Sequence, residues 1–269
     1  MAERAAIGLL VAAIIATFAR RARSLSRSGA VAATGLGALT AAAGYSWAIL
    51  LIVYFASSSA LSRLGSAEKE RLTGAIVAKG SQRDVRQVLA NGGVFAVAVV
   101  GRLLQPGVWW TALAAGSLAA SAADTWATEI GTRFGGIPRS ILSGRRVPVG
   151  TSGGVTVIGS LAALAGALFL AIAALAIGWT RQAALAATAG GVAGAVADSL
   201  FGATVQLRRW CDACELGTER VRHDCGSTTR VVGGIVGLDN DMVNLFSGIV
   251  GGVAATAVFA LLSSSPTLR

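Results

Sequence analysis

Residues 108–131 read VWWTALAAGSLAASAADTWATEIG. The run is long enough to cross a hydrocarbon core, which takes about 20 residues at about 1.5 Å each. It nevertheless carries Asp124 and Glu129 near one end. A membrane-spanning helix with polar side chains gathered at one level is the reading that fits both facts. Ala, Gly and Ser fill its first half, the composition that lets helices approach closely inside a bilayer. Seven further apolar runs lie along the chain, at Ala5–Ala19, Gly29–Gly44, Ser46–Leu61, Val88–Leu104, Val155–Trp179, Gln182–Gln206 and Asn240–Leu262. The expected fold is therefore all-α, a polytopic transmembrane helical bundle of about eight spans, within a range of about seven to nine. The Gly29–Gly44 run is short and joins the next at Gly44-Tyr45, so a tilted or re-entrant hairpin is its alternative.

Composition agrees. Of 269 residues, 54% are hydrophobic and only 13% charged, with 35 glycines. The mean hydropathy is +0.67. Soluble domains are about 25% charged, and three cysteines are too few for a disulfide scaffold. The net charge of +10 raises the question of nucleic acid. That would need basic residues clustered on a soluble, aromatic-bearing surface, whereas these sit in short loops between apolar runs. Positive-inside topology explains them instead. With eight spans and the N-terminus outside, 19 of the 23 basic residues fall inside, leaving Arg4, Arg102, Arg181 and Arg269 outside. The expectation is an integral protein of the cell membrane, both termini outside, its polar site on the cytoplasmic face and no nucleic-acid partner. The first run is expected to be an uncleaved anchor, since Arg20, Arg21 and Arg23 follow it.

The whole chain reads as one integral-membrane domain. Three spans occupy 1–62, a cytoplasmic loop 63–87, central spans 88–206, a Cys/His-bearing loop 207–238, and the last span and tail 239–269. The loops are too short to build cores of their own.

A carboxylate at mid-bilayer costs about 2.5–3.5 kcal/mol on insertion scales, so each one in a span calls for a reason. Asp124, Glu129, Asp198, Asp239 and Asp241 all fall at the cytoplasmic ends of their segments. Other groups arrive at the same level. Gly150, Thr151, Ser152, Gly153 and Gly154 form a glycine-rich turn whose N–H groups can approach an anion. Asn91 lies about one turn inside the fourth span, preceded by Lys79, Arg83 and Arg86. Acids, an anion-binding turn and cations on one face suit a nucleotide or diphosphate with Mg²⁺. The plainer alternative places these acids in the headgroup region, paired with neighbours such as Arg133 and Arg208.

Spacing sorts the candidates further. Asp124 shares a helix face with Thr128, and Asp241 with Asn244, while Asp124 and Glu129 diverge. One helix alone is thus unable to present both acids to one ion, and several must contribute. A weak echo relates SAADTW (Ser121–Trp126) to AVADSL (Ala195–Leu200). It would make spans five-six and seven-eight a weak parallel repeat.

All three cysteines and the single histidine lie in one loop, CDACELGTERVRHDC. Cys211, Cys214, His223 and Cys225 match a closed tetrahedral Zn²⁺ site with a structural role. Free reduced thiols or a redox pair are the alternatives.

In order, QVLANGG, SAADTWATEIG, VPVGTSGGV, VADSLFGATVQ and LDNDMVN resemble an integral-membrane family, formerly of unknown function. It includes the plant plastid phytyl phosphate kinase and an animal transmembrane homologue. The resemblance runs from about Lys79 to Asn244. It implies phosphoryl transfer from a nucleoside triphosphate, CTP or ATP, to an isoprenyl monophosphate, giving the diphosphate. Polyprenol kinases and CDP-lipid cytidylyltransferases are similar in style, and a cation-coupled transporter is the alternative from another class. On the kinase reading, Asp124, Asp198, Asp239 and Asp241 are the expected Mg²⁺ ligands, with Glu129, Asn240 and Asn244 second. Lys79, Arg83, Asn91, Arg145 and the Gly150–Gly154 backbone are expected to hold phosphates. The acceptor phosphate is already ionised, so no general base is needed.

Overall fold

The computed structural model describes residues 1–64, 66–80 and 82–264. Arg269, counted above on the outer side, and the rest of the tail from 265 lie outside the described residues. Every apolar run becomes a helix. These are α1 (Ala2–Arg21), α2 (Arg27–Ala43), α3 (Tyr45–Arg63), α5 (Val85–Leu104), α6 (Trp109–Phe134), α7 (Val157–Ala176), α8 (Arg181–Thr204) and α9 (Asn240–Ser264). A further short helix, α4 (Ser66–Thr73), lies in the 63–87 loop, where no helix was expected. Six of the long helices have the length and hydropathy to cross a membrane unaided. At 17 residues α2 reaches about 26 Å, short of a full hydrocarbon core.

Why α6 is less apolar than its neighbours follows from its position. It packs against α3, α5, α7, α8 and α9, and buries twelve of its 26 residues. A helix shielded from lipid on most sides needs small residues for contact more than large ones for lipid. Peripheral α1, by contrast, buries three of its 20.

The close contacts give the direction of each helix. A Cβ at Gly194 would collide with Ala120, and Gly190 and Gly116 both abut Gly251 and Ala255 of α9. α6 and α8 therefore run parallel, flanking α9, with the echoed residues Asp124 and Asp198 in matching register. α7 runs antiparallel to α6, since Gly159 meets Gly131 and Gly166 meets Ala122. α2 and α5 are parallel, joined at their starts where Gly29 abuts Arg83 and further along where Gly92 meets Leu36.

Local chemistry sets the helix starts at the polar end. Asp84 caps α5 with a reciprocal Gln87 box. The Thr156 hydroxyl accepts from the Gly159 amide at the head of α7, and Asp239 accepts from the Met242 amide at the head of α9. The Gly150–Gly154 turn sits before α7 instead of opening it. It runs into a two-residue ladder in which β2 (Gly154–Val155) pairs with β1 (Arg139–Ser140). The 207–238 loop forms a three-stranded antiparallel sheet, with β3 (Arg208–Cys211) between β4 (Leu216–Thr218) and β5 (Arg230–Gly233).

Candidate functional site

The ends of α6 and α8 and the starts of α5, α7 and α9 enclose a cavity of about 610 Å³. It is within the size range of small-molecule sites. Asp124 enters from α6 and Asp198 from α8, and their carboxyl groups interact directly, with Ser247 of α9 beside Asp198. One Asp198 oxygen is buried without a hydrogen-bond partner. Among the described residues, no lysine or arginine forms an ion pair with either acid.

Glu129 also lines the cavity, but it is committed. It accepts from Lys69 Nζ at 2.7 Å and Ser62 Oγ at 2.8 Å. The short helix α4 delivers that lysine. Asn91, Asn240 and Asn244 contribute to the wall, as do Lys79, Arg83 and the whole Gly150, Thr151, Ser152, Gly153, Gly154 turn. Gly150 and Gly153 adopt φ of +92° and +77°, and a Cβ on Gly153 would strike Ala203 of α8. Glycine is thus required there for the turn to seat on the end of α8.

The other sequence candidates lie elsewhere. Asp239 and Asp241 do not line the cavity; they form a charge cluster at the start of α9. Lys79 Nζ donates to Asp241 and to Asp84, the latter at 2.9 Å, and Arg86 pairs with Asp239 at 2.9 Å. Burial disfavours the Lys79 ammonium, but its bonds to Asp241 and Asp84 outweigh that and hold its pKa above the ordinary lysine value. Arg145 is exposed on the hairpin between β1 and β2 and does not reach the cavity.

Of the three cations in the wall, Lys69 and Lys79 are spent on carboxylates. Arg83 is not: it donates to Ser59 Oγ at 3.1 Å and stacks over Phe55. Among the described residues no acid pairs with it.

Glu219 was not anticipated. It follows β4, and its carboxylate accepts from the Ala78 amide at 3.2 Å, Ser152 Oγ at 3.3 Å and Gln206 Nε2 at 2.7 Å. Enclosure raises its pKa against those bonds. One side chain thereby ties the glycine-rich turn, the segment leading to Lys79 and the end of α8. Nothing in the local sequence marks this acid apart from the scarcity of acids in the chain, 13 in all. Tyr54, Ser62 and Lys69 were missed likewise because their helices reach the site only through tertiary packing.

The donor atoms of Cys211, Cys214, His223 and Cys225 lie within 4.8 Å of one another. His223 is buried, and neither ring nitrogen has a hydrogen-bond partner. An unpartnered imidazole amid three thiols fits a Zn²⁺ centre. The same loop grips the 75–78 segment: Thr218 Oγ1 donates to the Ala75 and Ile76 carbonyls, and Arg220 Nε to that of Val77.

Residues 10–252 match the family described as integral membrane protein DUF92. The chain is 31% identical to Protein PGR of Arabidopsis thaliana, over 91% of this chain and 92% of that one. The chain belongs to the DUF92 family. That membership bears out the resemblance read from the five motifs and the integral-membrane, helical fold. Another relative, an uncharacterized membrane protein of Methanocaldococcus jannaschii, is 28% identical over 95% of this chain and 94% of its own. A third, from Synechocystis, is 32% identical but spans about half of each chain, 51% and 54%. No solved structure matches.

Proposed function

We propose that this DUF92 protein is a membrane-embedded kinase that transfers a phosphoryl group from CTP or ATP to an isoprenyl monophosphate, giving the diphosphate. The observation that carries the reading is the facing pair Asp124 and Asp198, which among the described residues has no ion-paired lysine or arginine and only the more distant charge of Lys69 near Asp124, in a cavity walled by a glycine-rich turn and Arg83. Such a pair is costly unless something positive joins it. Mg²⁺ fits on that ground, with Asp124 and Asp198 as the residues that would hold it. When bound, the ion supplies charge neutralisation for the phosphates.

The protein's own groups account for the rest. Arg83 and the Ser152 and Gly153 amides of the glycine-rich turn, whose Thr151 amide already donates to the Pro148 carbonyl, would orient phosphate oxygens. Asn91, Asn240 and Asn244 offer neutral hydrogen bonds beside them. The helix walls limit water, which favours transfer to the acceptor over hydrolysis. Phosphoryl transfer asks mainly for positioning and charge neutralisation, so the lack of a histidine among the described lining residues is no obstacle. The Cys/His centre has four protein donors and no open position, which supports a structural Zn²⁺. The distribution of arginines supports a cytoplasmic mouth for the cavity, where soluble nucleotide is found.

The test is incubation of the purified protein with ATP or CTP, Mg²⁺ and a series of isoprenyl monophosphates, with products weighed by mass spectrometry. The diphosphate with release of a nucleoside diphosphate is expected. Pyrophosphate release would instead mark cytidylyl transfer, and no nucleotide consumption with any acceptor would end the kinase reading.

A further inference from the structure

A second cavity, about 330 Å³, opens between α1, α2, α3 and α5. It follows α3 from Tyr45 to Phe55, a rise of about 15 Å. Its walls are the side chains of Ile7, Val11, Ile15, Leu36, Ile49 and Ile52 with small residues between them. Only its inner end is strongly polar. There Tyr54, Arg83, Gln87 and Asn91 line this cleft and the Asp124/Asp198 cavity alike. The two cavities therefore meet at these four side chains, the apolar one ending at a guanidinium that no acid pairs with among the described residues.

We infer that this cleft holds the hydrocarbon tail of the acceptor, its phosphate resting on Arg83 at the junction. The inference builds on the kinase reading and adds where the lipid sits and what selects it. Three observations favour that occupant. The aliphatic walls lack packing partners across the gap, a loss of dispersion that a hydrocarbon chain restores. Arg83 keeps guanidinium N–H groups beyond the one given to Ser59, and no acid competes for them. The volume lies at the low end for small-molecule sites, which suits one chain and not the two of a diacyl lipid. α1 and α2, which carry none of the site acids, thereby gain a purpose as the tail's far walls.

The experiment uses the full chain in phosphatidylcholine nanodiscs and a C15 isoprenyl monophosphate with a diazirine at the tail end. After irradiation, adducts are mapped by mass spectrometry. Labels are expected on α1, α2 and α3, removed by excess unlabelled monophosphate but not by the C15 alcohol. Arg83→Gln should weaken that competed labelling about tenfold, the scale of one charge-assisted hydrogen bond. Ala48→Trp or, as a second filler, Ile52→Trp should drive the label out of the cleft. Labels on α7 or α9, or labelling indifferent to the phosphate competitor, would overturn the inference. Transfer from ATP or CTP is assayed in parallel. Competed labelling of the cleft without any transfer keeps the lipid site and removes the kinase; transfer with the label elsewhere does the reverse.

Discussion

Two pairs of acids sit at one end of the bundle and live under opposite conditions. Asp124 and Asp198 face each other across parallel helices, and among the described residues no lysine or arginine forms an ion pair with either. Asp239 and Asp241, at the start of α9, are bound to Arg86 and Lys79, and Asp239 also caps its helix. Each pair keeps one buried oxygen without a hydrogen-bond partner, on Asp198 and on Asp241, but only the second pair is held by ion pairs. Facing carboxylates without an ion pair of their own point to something the protein takes up, whereas ion-paired ones point to architecture.

The sharpest break between the pairs is in turnover. Asp124→Asn or Asp198→Asn should lower phosphoryl transfer by about a hundredfold to a thousandfold, the scale of losing a main electrostatic contact in a transition state. The variants should remain inserted and monodisperse. Asp241→Asn is expected to act differently. It should cost about 1–3 kcal/mol of stability in denaturant titration, because a buried charged hydrogen bond is lost, while turnover stays within about tenfold. Abolished turnover with unchanged stability in Asp241→Asn would erase the distinction between the pairs.

A milder effect should come from the Cys/His loop. Metal analysis should find about one zinc per chain, absent after Cys211→Ser with Cys214→Ser. Hydrogen exchange should then rise in 75–78, the segment that loop clasps, and turnover should fall by less than in Asp124→Asn. Unchanged exchange there would disconnect the loop from the site.

The smallest effect concerns Asp84, which shares Lys79 with Asp241. Partial burial works against its carboxylate, yet the Gln87 amide and Lys79 prevail and hold its pKa below the ordinary value of 3.8. A lowered native pKa contributes stability that is complete above the unfolded value and disappears as pH falls through the native one. Exchange at the Gln87 amide should therefore quicken only below about pH 4, by no more than the roughly 1 kcal/mol of a helix cap.

Much of the architecture was legible in the sequence because bilayer spans are coded by long local runs. All eight became helices, including Gly29–Gly44, and the echo between Asp124 and Asp198 marked two residues that meet. What stayed hidden depends on contacts distant in sequence. Four acids at equivalent helix ends looked alike, since nothing local says that Lys79 folds back onto Asp241, 162 residues away. Helix α4 escaped notice because SAEKERLT has neither the length nor the apolarity of a span, so Lys69 was counted only as a topological charge. Arg145, expected on the kinase reading to hold phosphate, is exposed on the hairpin between β1 and β2.

The seam of Gly116, Gly190, Gly194 and Gly251 has no room for so much as a methyl group. Helices meshed at that distance cannot ratchet past one another, so the floor beneath Asp124 and Asp198 is held in place. The rim is joined differently: Glu219 ties the glycine-rich turn, through Ser152, to the segment leading to Lys79, through the Ala78 amide.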